Sequence, residues 1–182
     1  MDLYSEIALE YVDATVFEKV IDILYKDGLG KQIVFSCYSD DMALCRYIAS
    51  KYLRLGYNSV AEELERLKGY RDAIIVFIDK PSPSNREIEQ ISILKEASMQ
   101  NTVIVVTYNY TSNAAKCSDI VIRLSVKSNG EQREPRDLYE YLLSSSILYE
   151  YVLIKLMLMI PAILKYKQLG KIQLYKGTDI EI

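Results

Sequence analysis

The chain has 182 residues, and its composition is that of a compact globular protein rather than a disordered or fibrous one. Half of the residues are hydrophobic and 26% are charged, which excludes a chain too polar to form a core. Lys and Arg total 22 against 25 Asp and Glu, so the net charge of -3 provides no field to attract nucleic acid. The chain contains no histidine, which is the commonest metal ligand and the usual proton-transfer residue near neutral pH. We therefore expect a single domain over residues 1–182, without a metal site or a resident cofactor.

No segment of the sequence has the features of a targeting peptide or a membrane span. Residues 1–10 include acidic side chains and lack both a basic start and a long apolar run. The longest apolar stretch, residues 147–164, is interrupted by Glu150, Lys155 and Pro161. Each charge there would cost about 2.5–3.5 kcal/mol at the centre of a bilayer. We expect a cytoplasmic protein that does not bind membranes.

The chain alternates between short runs of β-branched residues and longer segments with helical periodicity. It opens on an amphipathic segment, and we assign residues 1–28 to an N-terminal helical arm. Strands are predicted, in chain order, over residues 33–35, 58–60, 73–78, 102–107 and 120–124. Helices are predicted over residues 42–55, 61–67 and 88–98, with one long C-terminal helix over residues 137–165. Residues 127–136 (KSNGEQREPR) are highly polar and predict an exposed connection.

The order of these elements predicts an α/β fold built on a five-stranded parallel sheet. Each connection between strands is long enough for the crossover that parallel strands require. Residues 73–78 (AIIVFI) are apolar without alternation, which is typical of a strand covered by helices on both faces. We therefore predict a doubly wound sandwich with flavodoxin-like strand order. Ligands of such folds bind beyond the carboxyl ends of the strands, which here means residues 36–41, 79–84 and 107–112.

Two consecutive stretches of the sequence resemble the sugar isomerase (SIS) domain family. Residues 73–97 read AIIVFIDKPSPSNREIEQISILKEA, and residues 101–124 read NTVIVVTYNYTSNAAKCSDIVIRL. They are similar to the family's succession of strand, small-residue loop, helix, strand ending in Thr, short helix, Ser-Asp and strand. The likeness covers roughly residues 5–165, and the chain is similar in length to small 6-phospho-3-hexuloisomerase-like members. It implies a sugar phosphate or a related small molecule as ligand.

The loop after the first strand departs from the family pattern. It reads Cys37-Tyr38-Ser39-Asp40-Asp41 and lacks the glycines that these proteins generally have there. Ser39 can cap the following helix, while Asp40 and Asp41 supply the negative charge that a helix N-terminus otherwise takes from a phosphate. The alternative role for Ser39 and Asp41 is direct contact with sugar hydroxyls.

The loop after the third strand keeps two hydroxyls of the family's phosphate-binding pattern. The resemblance places Ser82 and Ser84 against the phosphate, and Lys80 would replace part of the lost backbone donors. Residues 84–87 (SNRE) also form a capping box that needs no ligand. The sequence fits both roles, a helix cap and a ligand cradle.

Two further residues complete the expected site. Thr107 ends the fourth predicted strand, and we expect it to contact the substrate. The resemblance places Glu140 near the start of the late helix as the base that moves a proton between adjacent carbons of the sugar. Asp137 and Glu140 also fit a helix N-cap and its partner, which requires no catalysis. The family's acid–base histidine has no counterpart in this chain.

The sequence supports two functions. The first is a phosphosugar-binding domain that acts as a sugar-phosphate isomerase, with Ser82 and Ser84 holding the phosphate and Glu140 moving the proton. The second is a non-catalytic relative, a self-assembling interaction or sensing module, because the glycine loop and the histidine are missing. Several tyrosines in residues 137–165 stand beside Leu, Ile and Met, a composition typical of a subunit interface. We therefore expect a homodimer or a homotetramer.

Overall fold

The computed structural model describes residues 14–38, 42–79, 87–107, 112–123, 127–128, 131–132 and 160–165. Five parallel strands form one sheet in the spatial order β2-β1-β3-β4-β5. The strands are β1 (Ile33–Cys37), β2 (Ser59–Ala61), β3 (Ile74–Asp79), β4 (Thr102–Thr107) and β5 (Ile120–Arg123). This order is the predicted flavodoxin-like one, and the predicted doubly wound α/β fold is confirmed.

Helices connect these strands. They are α1 (Ala14–Lys26), α2 (Met42–Arg54), a 3-10 helix (Leu64–Gly69), α3 (Glu87–Ser98), α4 (Asn113–Lys116) and α5 (residues 160–165). The helix predicted over residues 61–67 is replaced by the end of β2 and the 3-10 helix. Backbone pairing with β1 holds Ala61 in the sheet, and the remaining segment is too short for a stable α-helix. None of the helices within the described ranges has the combination of length and apolar composition needed to cross a membrane.

The polar stretch predicted as an exposed connection contains a small hairpin. Strands β6 (Lys127–Ser128) and β7 (Glu131–Gln132) pair in antiparallel fashion. The two residues between them are Asn129 and Gly130, a pair favoured in two-residue hairpin turns because both residues tolerate positive φ. That turn signal was present in the sequence but was outweighed by the polar composition of the segment.

Side chains alternate between the two faces of the sheet, as the two-residue period of a strand requires. One side, called the α1 face, packs against α1, α2 and α5. The other, called the α3 face, packs against the 3-10 helix, α3 and α4. Strand residues on the α1 face include Ile33, Phe35, Ile74, Val76, Ile78, Ile104, Val106, Ile120 and Ile122. Those on the α3 face include Val34, Ile75, Phe77, Val103 and Val105.

The first described helix is an integral part of the core. In α1, Phe17, Val20, Ile21 and Leu24 are all buried, and their spacing forms one apolar stripe along the helix. The stripe belongs to the same cluster as the strand residues of the α1 face. Within the predicted C-terminal helix, only residues 160–165 are described, and Ile160, Ile163 and Leu164 are buried in that cluster as well.

A buried amide ties together the amino ends of the two central strands. The Oδ1 atom of Asn101 accepts a hydrogen bond from the backbone N–H of Ala73 at 2.9 Å. Its Nδ2 atom donates to the carbonyls of Tyr70 at 3.0 Å and Ala97 at 2.8 Å. Asn101 therefore links the starts of β3 and β4 to the end of α3, and it supplies the acceptor for the buried N–H of Ala73.

We predict that Asn101→Ala lowers the free energy of unfolding by about 2–4 kcal/mol, because it removes three hydrogen bonds and leaves the buried N–H of Ala73 without a partner. Urea denaturation followed by circular dichroism measures the change. Asn58→Ala is the matched control, since the Asn58 side chain is exposed and its backbone carbonyl, which accepts from Ile33, is retained. An equal loss of stability in both variants would contradict this role of Asn101.

Candidate functional site

The strand order places a topological switch point between β1 and β3. The chain runs from β1 to β2, which lies on one side of β1. It then crosses to β3 on the other side of β1, where β4 and β5 follow. A crevice forms outside the carboxyl ends of the strands at such a point, and it is the usual ligand site of doubly wound sheets. The residues at this edge that point to the α3 face are Tyr38, after β1, and Asp79 and Thr107, which end β3 and β4.

The carboxylate of Asp79 is the centre of a buried polar cluster at this edge. Asp79 is only 7% exposed, and Ser112 donates its hydroxyl to the Oδ2 atom at 2.6 Å. The hydroxyls of Thr107 and Tyr38 also hydrogen-bond the carboxylate. Thr107 is brought there by strand register, because it is the direct neighbour of Asp79 across β3 and β4. We call these four residues the Asp79 cluster.

Ser112 connects the Asp79 cluster to the helix that follows. It is the N-cap of α4, and its Oγ atom accepts a hydrogen bond from the backbone N–H of Ala115 at 3.1 Å. The same hydroxyl thus donates to Asp79 and accepts from α4. This arrangement fixes the position of α4 relative to the end of β3.

The floor of the site is apolar and aromatic. The ring of Tyr38 packs edge-on against Phe77, with ring centroids 5.1 Å apart. Phe77 is paired with Ser36 in the register of β1 and β3, and the Ser36 side chain is fully buried on the same face. Its Oγ atom is the only buried side-chain oxygen or nitrogen in the described part of the chain that has no hydrogen-bond partner. The polar edge of the sheet therefore rests on a buried layer of side chains.

Burial raises the pKa of the Asp79 carboxyl above its ordinary value, while the hydrogen bonds from Ser112, Thr107 and Tyr38 oppose the shift. Each hydrogen bond to a charged acceptor contributes about 1.5–3 kcal/mol, whereas burying a charge costs several kcal/mol. The direction of the shift shows that the cost of burial exceeds the stabilisation by the three hydroxyls. Asp79 is consequently closer to protonation near neutral pH than an exposed aspartate.

Among the site residues predicted from sequence, the structure describes Thr107. It is completely buried, and its hydroxyl bonds Asp79. The other predicted site residues lie outside the described residues; they are Ser39, Asp41, Lys80, Ser82, Ser84 and Glu140. Along the chain, Ser39 follows Tyr38 directly and Lys80 follows Asp79 directly.

Asp79, Tyr38 and Ser112 lie in the three segments expected from sequence to face the ligand, but none of them was predicted as a site residue. An available signal was the acidic residue that closes the apolar run of residues 73–78, since carboxylates rarely occur in buried strands without partners. In the described part of the chain, no group of three acidic or cysteine side chains is placed to hold a metal ion.

Comparison with known proteins shows likeness in structure without a match in sequence. No protein-family model and no curated protein matches the chain. One structural neighbour is a provisionally assigned sugar-phosphate isomerase of Listeria monocytogenes, with a TM-score of 0.65, 16% identity, and coverage of 88% of this chain and 80% of the neighbour. Another is the Escherichia coli CFT073 protein c3406 in complex with arabinose 5-phosphate, with a TM-score of 0.64, 18% identity, and coverage of 86% and 79%. The chain has the sugar isomerase fold.

A third neighbour agrees with the predicted resemblance to small hexuloisomerase-like proteins. It is the protein MJ1247 of Methanococcus jannaschii, whose structure was used to infer a 3-hexulose-6-phosphate isomerase function. Its TM-score is 0.62 at 18% identity, and the alignment covers 86% of this chain and 78% of the neighbour. The resemblance in fold is confirmed. In this sugar isomerase fold, the Asp79 cluster lies at the carboxyl edge of the sheet.

The pKa shift of Asp79 predicts a pH-dependent difference in stability between the wild type and Asp79→Asn. Because the folded-state pKa is raised, the Asp79 contribution is fully present below the unfolded-state pKa and is lost as the pH rises through the folded-state value. We expect the free energy of unfolding of the wild type, minus that of the variant, to increase as the pH is lowered from 7 to 4. Urea unfolding at a series of pH values measures it, and a difference that falls with decreasing pH would refute the shift.

Proposed function

We propose that this chain is a carbohydrate-binding domain whose ligand is a sugar phosphate, bound at the switch point between β1 and β3. The observation that supports the proposal most directly is the Asp79 cluster, a set of hydroxyls and one carboxylate placed at the edge where doubly wound sheets bind ligands. Hydroxyl and carboxylate groups are suited to hydrogen-bonding a polyol. The E. coli neighbour of the same fold is a complex with the phosphosugar arabinose 5-phosphate.

The phosphate is proposed to bind before α3, near Ser82 and Ser84. Strand β3 ends at Asp79 and α3 begins at Glu87, so residues 80–86 lead from the carboxyl edge of the sheet into a helix of 12 residues. The N-terminus of such a helix favours an anion through its free N–H groups and its dipole. Lys80 adds a positive charge in the same segment. Ser39, Asp41 and Thr107 are assigned to the sugar hydroxyls.

The proposed reaction is aldose–ketose isomerisation, for which the family resemblance indicates Glu140 as a candidate base. A second, non-catalytic function is favoured by one observation, the absence of histidine from the chain. A domain of that kind would bind the sugar phosphate as a sensing or interaction module. Both functions share the binding step, so binding is the first property to measure.

We predict that arabinose 5-phosphate raises the melting temperature of the protein. A ligand that binds only the folded state stabilises it by about 2.7 kcal/mol when its concentration is 100 times Kd. A thermal-shift assay with millimolar arabinose 5-phosphate, and with other pentose, hexose and heptulose phosphates, measures the effect. Absence of a shift and of heat in isothermal titration calorimetry with the whole panel would refute the proposed function.

We further predict that Ser82→Ala weakens the binding of arabinose 5-phosphate about tenfold or more, because one hydrogen bond to a charged group is lost. Ser98→Ala is the matched control at the opposite end of α3, where the hydroxyl bonds only the carbonyl of Lys95 at 2.8 Å. Ser84→Ala separates the two roles open to that residue. Weaker binding identifies a ligand contact, whereas a lower melting temperature with unchanged Kd identifies a helix cap.

The protein is proposed to act in the cytoplasm as a homodimer or a homotetramer. The tyrosine-rich segment over residues 137–165 supports this proposal through its composition. We expect size-exclusion chromatography with light scattering to give two or four times the chain mass of 20.9 kDa. A monomer mass at micromolar concentration would refute the assembly.

A further inference from the structure

We infer that Asp79 is an acid–base catalytic residue of this domain, which contacts the open-chain sugar and carries a proton between two adjacent carbons. The inference rests on the proposed function, because it assumes a sugar phosphate at the switch point. It assigns the proton transfer to a residue at the end of β3 that the family resemblance does not indicate.

The position of Asp79 meets the geometric requirement for such a group. It is the last residue of β3, so its carboxylate lies at the rim of the sheet and not within it. Tyr38 stands at the end of the neighbouring strand on the other side of the switch point, and Thr107 at the end of β4. A ligand in the crevice would therefore meet Asp79 between two hydroxyl-bearing residues.

The surroundings of the carboxylate suit proton transfer. Its three identified donors are hydroxyls, which can rotate and can also accept hydrogen bonds from a sugar. The Phe77 and Tyr38 rings pack against each other below the edge. Burial raises the pKa of the Asp79 carboxyl, and a base whose pKa lies closer to the operating pH both accepts and returns a proton more readily.

A purely structural role explains less well than a catalytic role why an aspartate occupies position 79. Fixing α4 through the hydroxyl of Ser112 requires only one hydrogen-bond acceptor, which an uncharged side chain provides without the cost of burying a charge. Buried carboxylates with raised pKa values, placed in a cleft, are characteristic of groups that exchange protons. In a chain without histidine, a carboxylate in such surroundings is a suitable group for the transfer.

The step is balanced without any further reactant. For an aldose, the Asp79 carboxylate takes the proton from C2, and the C–H electron pair forms the C1–C2 double bond while the carbonyl oxygen on C1 becomes a hydroxyl. The proton for that oxygen comes from the hydroxyl on C2, either directly or through a hydroxyl of the site. The protonated Asp79 then returns its proton to C1 as the carbonyl forms at C2, which yields the ketose and restores the carboxylate.

The test follows exchange of the C2 proton of arabinose 5-phosphate with solvent in deuterium oxide by proton NMR, with Kd measured in parallel by calorimetry. Asp79→Asn should slow exchange by about 10²–10⁴-fold, with Kd changed only a few-fold, since the shape of the side chain is retained. Asp72→Asn is the matched control at the opposite end of the same strand segment. Asp72 is exposed and has a φ of 53°, a conformation that Asn tolerates, so exchange should remain at the wild-type rate.

The outcomes separate this inference from the proposed function. Failure of the wild type to bind arabinose 5-phosphate or any other phosphosugar of the panel overturns both. Binding of arabinose 5-phosphate by the wild type without exchange overturns the catalytic role alone. Unchanged exchange in Asp79→Asn, or a loss of exchange fully accounted for by a higher Kd, also overturns it.

Two further variants, Asp79→Ser and Glu140→Gln, complete the experiment. If Asp79→Asn unfolds below the assay temperature, Asp79→Ser supplies a smaller hydrogen-bond acceptor without an ionisable group, and the same slowing is expected. Glu140→Gln tests the competing base. Exchange that depends on Glu140 and survives both Asp79 variants would assign the proton transfer to Glu140 and refute the role of Asp79.

Discussion

A charged side chain buried at the end of a central strand is the constraint that organises the carboxyl edge of this sheet. The Asp79 carboxylate loses its hydration in the fold, and hydroxyls from a second strand, a loop and a helix N-cap compensate for part of that loss. These hydroxyls come from Tyr38, at the end of β1, and from Thr107 and Ser112, which are five residues apart. Strand pairing holds β1, β3 and β4 together, and the hydrogen bonds to the carboxylate add α4 to them.

The two edges of the sheet use buried polar groups in different ways. At the amino edge, Asn101 pairs with three backbone groups, and a neutral amide serves without the cost of burying a charge. Asp119 plays a related part between β4 and β5, where its Oδ2 atom accepts from the N–H of Val103 at 2.8 Å. At the carboxyl edge, an ionisable group takes the central place and the balance of forces leaves it with a raised pKa. Stability alone accounts for the polar groups at the amino edge, whereas the polar groups at the carboxyl edge are also suited to proton transfer.

The chain shares the sugar isomerase fold with structural neighbours whose sequences are only 16–18% identical to it. The shared element is the architecture, since a parallel sheet covered on both faces requires apolar strands of a given length rather than particular residues. The site is less constrained by that requirement. The loop after β1 contains no glycine and the chain contains no histidine, and neither feature affects the packing of the sheet.

Much of the secondary structure could be predicted from the sequence, because apolar runs and helical periodicity are local patterns that act independently of the rest of the chain. Uninterrupted apolar runs predicted four of the five strands closely, and helical periodicity located α2 and α3 to within a residue of their observed starts. The strand predicted over residues 58–60 agrees with β2, whereas the helix predicted over residues 61–67 was wrong because the pairing of Ala61 with β1 is a tertiary contact, which overrides a weak local preference. The pairing of β6 with β7 was missed because the polar composition of the segment outweighed the Asn129-Gly130 signal in the sequence.

The sequence by itself determined the fold class and, through the family resemblance, the strand order. It also indicated the edge of the sheet at which we propose that a ligand binds. The tertiary structure decided which side chains meet at that edge. Asp79, Tyr38, Thr107 and Ser112 come together because strand register and the side-chain alternation of three strands bring them to one face. That convergence depends on pairing between strands that are distant in sequence. The spacing of residues along the chain does not reveal which strands pair or in which register.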